Sequence, residues 1–143
     1  MPQTKAQQDL ALAQRLVQEV KDNRDENARK IYGGLCHKFP ILVRTCGLCQ
    51  ALAFSSDKST IKKEGQQPTS QNIAHRFLLA HVAELLGMPG RDPLAIVRDE
   101  TAADYMLHTR RVLAAWTYFK RFAVSILKVN DSQAVQEELT DAS

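Results

Sequence analysis

Residues 38–54, KFPILVRTCGLCQALAF, form the longest nearly apolar run in the chain. As a helix, Ile41, Leu42, Val43, Cys46, Leu48, Cys49, Leu52 and Phe54 nearly surround the axis, so the segment belongs in the middle of a bundle. Pro40 suits the first turn of a helix, and the run is read as one helix from Pro40 to about Phe54. Arg44, Gly47 and Ala51 share one side of it. Two of these are small, which lets a neighbouring backbone approach.

The rest of the chain is organised around that segment in helical rather than strand periodicity. A first helix spans Thr4 to Lys21, with Ala6, Leu10, Ala13, Val17 and Val20 on one stripe. A second starts near Glu26 and aligns Ala28, Ile31, Leu35 and Phe39. Gly33-Gly34 weakens it by ~1 kcal/mol per glycine and marks a kink or a close contact. Residues 55–70 are polar, contain Gly and Pro, and carry Lys58, Lys62 and Lys63, so they read as a long loop. A fourth helix covers Gln71 to Leu86, with Ile73, Phe77, Leu78, Ala80, Val82 and Leu85 on its buried side. Gly87 stops it. Asp92-Pro93 caps a short fifth helix to about Asp99. The last and longest helix runs from Thr101 to Lys128. Its packing stripe is Tyr105, Thr109, Val112, Trp116, Phe119, Ala123 and Ile126. The expected fold is all-α, a compact bundle of five to six helices with a long C-terminal helix. Residues 1–128 form a single domain, and residues 129–143 an acidic, disordered tail.

No run approaches the ~20 apolar residues of a membrane span, and no secretory signal is visible at the start, so a cytoplasmic location is expected. The formal charge of +3 conceals an asymmetry. The last fifteen residues hold four acids and no Lys or Arg, which leaves nineteen bases against twelve acids before them. Such a surface suits a polyanion, although ordinary surface charge accounts for it as well.

Three features bear on chemistry. Cys46-Gly47-Leu48-Cys49 has the spacing of a redox pair or half a zinc site. A redox pair belongs at a helix start beside a strand, whereas this one is expected mid-helix among apolar residues. A zinc site would draw on Cys36, His37, Cys46 and Cys49, with no second paired motif behind it. Packing is the favoured role for these thiols, and neither metal nor cofactor is expected. His37, His75, His81 and His108 lack a triad-like setting, and no base stands with an orienting partner. The C-terminal helix is more informative. At 100° per residue, Arg110, Arg121 and Lys128 fall on one line ~27 Å long, with Arg111 and Lys120 flanking it. The line points away from Trp116. Cations of one sign without Glu partners can track a phosphate backbone, while an amphipathic helix also needs some polar face.

Two motifs also resemble a known family. Lys38, Pro40, Leu42, Val43, Arg44, Gly47, Leu48 and Gln50 to Phe54 match a K-x-P, L-V-R, G-L-x-Q-A-L-A-F pattern. Thr109, Arg110, Val112, Leu113, Phe119, Lys120, Arg121, Phe122 and Ala123 match a closing helix with T-R-x-V-L and F-K-R-F-A. FLLAHVAELLG lies between them. Together they resemble the small helical subunit of the Cmr complex, the type III-B CRISPR RNA-guided effector. The resemblance implies an all-helical, non-catalytic subunit. It would stack with neighbouring copies of itself against RAMP-type backbone subunits, presenting basic surface to guide RNA and target RNA. The expected RNA-facing residues are Lys38, Arg44, Arg110, Arg111, Lys120, Arg121 and Lys128. The chain departs from the family pattern in its 55–70 loop, its tail after Lys128, and Cys46 and Cys49. The rival reading is a helical protein–protein adaptor that binds no nucleic acid.

Overall fold

A computed structural model describes residues 2–130. It contains six helices: α1 (Lys5–Lys21), α2 (Glu26–Cys46), α3 (Leu48–Ser59), α4 (Ser70–Leu85), α5 (Pro93–Arg98) and α6 (Ala102–Ser125). No strand occurs among the described residues. The all-α bundle with a long C-terminal helix is therefore what the chain forms.

The central element is α2, but its bounds differ from expectation. It continues through Pro40 and ends at Cys46, and the break falls at Gly47, which has φ +90°. Proline lacks an N–H, so in a helix it strands the carbonyl four residues earlier. Here that carbonyl belongs to Cys36, and the Trp116 indole of α6 donates its Nε1–H to it at 3.0 Å. A tertiary contact thus replaces the missing helical bond. Gly47 takes a backbone conformation that side-chain-bearing residues rarely adopt, so it ends α2 and starts α3. Having no side chain, it cannot cap α3. The Cys49 N–H instead donates to the Tyr105 hydroxyl of α6 at 3.0 Å. Cys46 and Cys49 consequently lie on either side of a helix break, not within one helix.

These contacts also set the packing direction. Tyr105 meets α3's first turn, Trp116 meets Cys36, and Val129 meets Gly33, so α6 runs antiparallel to α2. The α1/α6 pair lies along one side of α2, with α3 and α4 along the other. Residues 32–37 of α2 are all buried, as befits a helix enclosed on both sides. A methyl at Gly33 would sit 2.6 Å from Val129, so this glycine marks a close contact.

Three further boundaries differ for identifiable reasons. Helix α3 extends to Ser59, into the expected loop. Side chains of α4 hold it: Asn72 Nδ2 donates to Lys58 O at 2.7 Å, Arg76 Nε donates to Ser59 O at 3.1 Å, and Ser55 Oγ lies 3.1 Å from His75 Nδ1. Asn72 and Arg76 thereby occupy carbonyls that a helix C-terminus leaves open. On α1 the buried face is Asp9, Ala13, Leu16, Val17 and Val20, while Ala6 and Leu10 are exposed. The rotation brings Asp9 against Arg111. On α4, Ala80 faces outward, and His75 and His81 occupy the buried side instead. Finally, α6 stops at Ser125 rather than Lys128, which has φ +63°. The acidic tail expected from residue 129 lies outside the described residues apart from Val129 and Asn130. Val129 is buried, and its carbonyl accepts from His37 Nε2 at 2.8 Å.

Candidate nucleic-acid interface

Helix α6 is started by Thr101, whose hydroxyl accepts from the Asp104 N–H at 3.2 Å. Its inward face is fixed by Val112, Ala115, Trp116, Phe119 and Ala123, all buried. Trp116 stacks on Phe119 with ring centroids 4.2 Å apart, and Phe39 of α2 lies 4.8 Å from Trp116. This aromatic stack locks the rotation of α6 about its axis. The opposite face must therefore point to solvent, and Arg110, Ala114, Thr117 and Arg121 are all exposed there. Eleven residues of helix place Arg110 and Arg121 ~16 Å apart along one line. Neither has a hydrogen-bond or ion-pair partner among the described residues. The acid of α6, Asp104, lies in its first turn, where it complements the helix dipole.

The expected seven cations do not form one surface. Arg111 turns inward on the flank of α6, and its guanidinium forms an ion pair with the buried carboxylate of Asp9. It joins α1 to α6. Lys120 lies half-buried on the opposite flank from Arg111, without a partner among the described residues. Lys128 has left the helical line. Its left-handed conformation turns the chain so that Val129 packs back onto Gly33. The expected straight stripe therefore keeps Arg110 and Arg121 and loses its third member. Arg44 is exposed in the last turn of α2. The antiparallel register puts it level with the turn of α6 that carries Arg110. Lys38 faces another way, lining a groove between α2, α3 and α4.

Sequence reasoning missed one property of the outward face of α6. Met106, Leu107 and Val124 are exposed beside the arginines, Leu107 at 60%. The face is thus cationic and apolar together. The signal was present in the helical phase of these residues, which lies within 60° of Arg110.

The histidines serve the interior. His81 is buried with its Nδ1 2.6 Å from the Tyr32 hydroxyl, and burial pushes its pKa down from 6.5 to about 3. His75 is lowered to about 4, mainly by burial and further by Lys58 and Lys38. His108 Nδ1 approaches Glu100 Oε2 at 2.6 Å beside the start of α6. Cys36 is buried, and desolvation raises its thiol pKa well above the ordinary value. The candidate zinc ligands are not brought together: His37 is engaged by Val129, and no group of three or more His, Cys, Asp or Glu could hold a metal among the described residues. No helix among the described residues is long and apolar enough to cross a membrane.

Comparison with known proteins gives a consistent result. Residues 5–126 match the family model described as CRISPR-associated protein (Cas_Cmr5). The chain is similar to the CRISPR system Cmr subunit Cmr5 of Thermus thermophilus, with 33% identity over 117 residues, covering 81% of this chain and 92% of the relative. It is also similar to the X-ray crystal structure of a CRISPR-associated Cmr5 family protein from the same organism. The TM-score is 0.67 at 33% identity, covering 87% of this chain and 98% of the other.

Proposed function

Since the chain belongs to the Cas_Cmr5 family, we propose that it is the non-catalytic small subunit of a cytoplasmic type III-B CRISPR effector, with the outward face of α6 lying along RNA. The observation that carries this reading is the pair Arg110 and Arg121. Both are exposed, aligned and unpartnered among the described residues, on a helix whose rotation is fixed by Trp116 and Phe119. Guanidinium groups so placed neutralise phosphates several nucleotides apart along the guide–target duplex without reading its sequence. Arg44 and Lys120 extend the positive field to either side. Arg111 supports the face from within by fixing α6 to α1. The RAMP-type backbone subunits and neighbouring copies of this chain are the protein partners.

The rival adaptor reading has one observation in its favour, the exposed Met106, Leu107 and Val124 on the same face. In an RNA-binding subunit these residues contact the neighbouring protein at the edge of the duplex. The two readings separate in the assembled effector. Arg110→Glu/Arg121→Glu is expected to leave assembly intact and to speed target-RNA release, most strongly as salt is raised. A variant effector that retains target RNA as the wild type does, at every salt concentration, refutes the RNA assignment and favours the adaptor.

A further inference from the structure

A second surface lies across α2 from the α6 face. Helices α2 and α3 part at Gly47, and α4 packs against both. A groove of about 510 Å³ runs between the three, floored by apolar side chains including Leu35, Phe39 and Leu78. Ile41 and Phe54 line it and are 60% and 46% exposed, which is unusual for large apolar residues beside a well-packed core. Its charges are of one sign. Lys38 and Lys58 line it and no acid does. Both are half-buried, and neither has a hydrogen-bond or ion-pair partner among the described residues. Lys58 Nζ sits 5.6 Å from the Phe54 ring centroid. Partly desolvated ammonium groups without a counter-ion are stabilised by a carboxylate brought from outside. An occupant must therefore be amphipathic and anionic.

The walls select a helix over an extended peptide. All three are helices, whose backbone groups are bonded internally, so an extended chain on the apolar floor finds no strand edge for its own N–H and C=O groups. A helix satisfies those groups itself and offers an apolar stripe at i, i+3 or i+4, and i+7. From Ile31 to Thr45 the α2 wall is ~21 Å long, room for about four helical turns. A second copy of this chain fits poorly by charge. Outside the groove, the exposed apolar cluster Met106, Leu107 and Val124 lies beside Arg110 and Arg121, and it would set like charge against Lys38 and Lys58. Leu10 and Met88, also exposed, stand singly on other parts of the chain.

We propose that the α2/α3/α4 groove docks an acidic amphipathic helix of a partner protein, with its apolar stripe over Leu35, Phe39 and Leu78 and its carboxylates against Lys38 and Lys58. Docking covers Ile41 and Phe54 and gives both lysines a counter-ion. It leaves the α6 face free, so the two surfaces serve different partners. Arg110→Glu/Arg121→Glu therefore leaves docking unchanged, whatever its effect on RNA.

The test titrates the full chain, ¹⁵N-labelled, with a synthetic helical peptide of about four turns that carries leucines at i, i+4, i+7 and i+11 with glutamates flanking them. The expected result is saturable amide shifts at Ile41, Thr45, Phe54 and Lys58. Lys38→Glu/Lys58→Glu should weaken binding roughly tenfold or more and should bind instead the same peptide with lysines for glutamates. The melting temperature shows that the variant remains folded. Absence of shifts, or equal binding of the wild type to a glutamine-for-glutamate peptide, overturns the proposal. So do shifts centred on Arg110 and Arg121, where the peptide has merely found exposed cations. Shifts of the groove amides that grow with protein concentration before peptide is added assign the groove to a second copy, and shifts there on adding RNA assign it to RNA; either overturns the proposal. In the assembled effector, p-benzoylphenylalanine in place of Phe54 should cross-link to an acidic amphipathic helix of another protein, and Lys38→Glu/Lys58→Glu should reduce that product. Cross-links to RNA, to another copy of this chain, or to nothing overturn the proposal.

Discussion

Arg110 and Arg111 are adjacent in the sequence and opposite in consequence. Arg110 stands in solvent without a partner among the described residues, whereas Arg111 reaches the buried Asp9 and ties α1 to α6. One 100° step of the helix separates a cation available to a polyanion from a cation consumed by the fold. The same contrast holds for the two faces of α6. The inward face is built of aromatic stacking and hydrogen bonds to buried groups, and its contribution is to stability. The outward face makes no comparable contacts, and substitutions there are expected to change binding and little else. Counting basic residues along a helix does not separate these roles; the helical phase and the acids on neighbouring helices do.

The largest expected effect probes the inward side through pH. His81 lies 6.1 Å from Phe119, on the inward face of α6, and is held neutral by burial, as is His75 beneath α3. Their folded pKa values, about 3 and about 4, lie below the ordinary 6.5. The unfolded chain therefore takes up protons first as pH falls. Stability from this source is complete above pH 6.5 and is lost as pH falls from 6.5 towards 4 for His75 and towards 3 for His81. The loss approaches ~1.4 kcal/mol per pH unit for each histidine. Urea unfolding measured across this range should show the loss, and His75→Gln should make it shallower.

Next in size is Arg111→Ala, which strands the Asp9 carboxylate in the interior and is expected to cost ~3 kcal/mol. Arg110→Ala should change stability by no more than ~0.5 kcal/mol. Equal losses for the two variants in chemical denaturation would erase the contrast between neighbours. Gly47→Ala should cost ~2 kcal/mol, because φ +90° strains any side chain, and an added Cβ meets the Tyr105 hydroxyl at 3.3 Å. The smallest effect has the opposite sign. Lys128→Gly relieves a left-handed residue and should raise stability by ~0.5–1 kcal/mol, readable as a higher melting temperature.

The sequence is most informative where local chemistry decides the outcome. Asp92, read as a cap, caps α5, and Thr4 and Thr101, read as helix starts, cap α1 and α6. The packing stripe through Val112, Trp116 and Phe119 is the buried face of α6, and Gly33 is a close contact. Legibility fails where a distant residue completes a local deficit. Pro40 looks like a helix start because the Trp116 indole that satisfies the Cys36 carbonyl lies eighty residues away. Gly47 looks like a packing residue because nothing near it in sequence shows that Tyr105 will cap α3. Leu10 reads as core and is exposed, because α1 is turned so that Asp9 meets Arg111 of α6. For the candidate interface, the phase of Arg110 and Arg121 is readable from helical geometry alone. The positions of Arg111 and Lys128 are not, because an ion pair and a chain reversal remove them from that line. The resemblance in residues 38–54 and 105–127 supplies the family, which periodicity and charge do not.

Engagement of RNA backbone by the outward face of α6 is read out by the salt dependence of binding. Binding of the isolated chain to a guide–target RNA duplex would be titrated from low salt upwards, for the wild type and for Arg110→Ala/Arg121→Ala. The variant should bind more weakly at low salt, with a log–log salt slope lower by about 1 for each arginine removed and the melting temperature unchanged. An unchanged affinity and slope in a folded variant would contradict it.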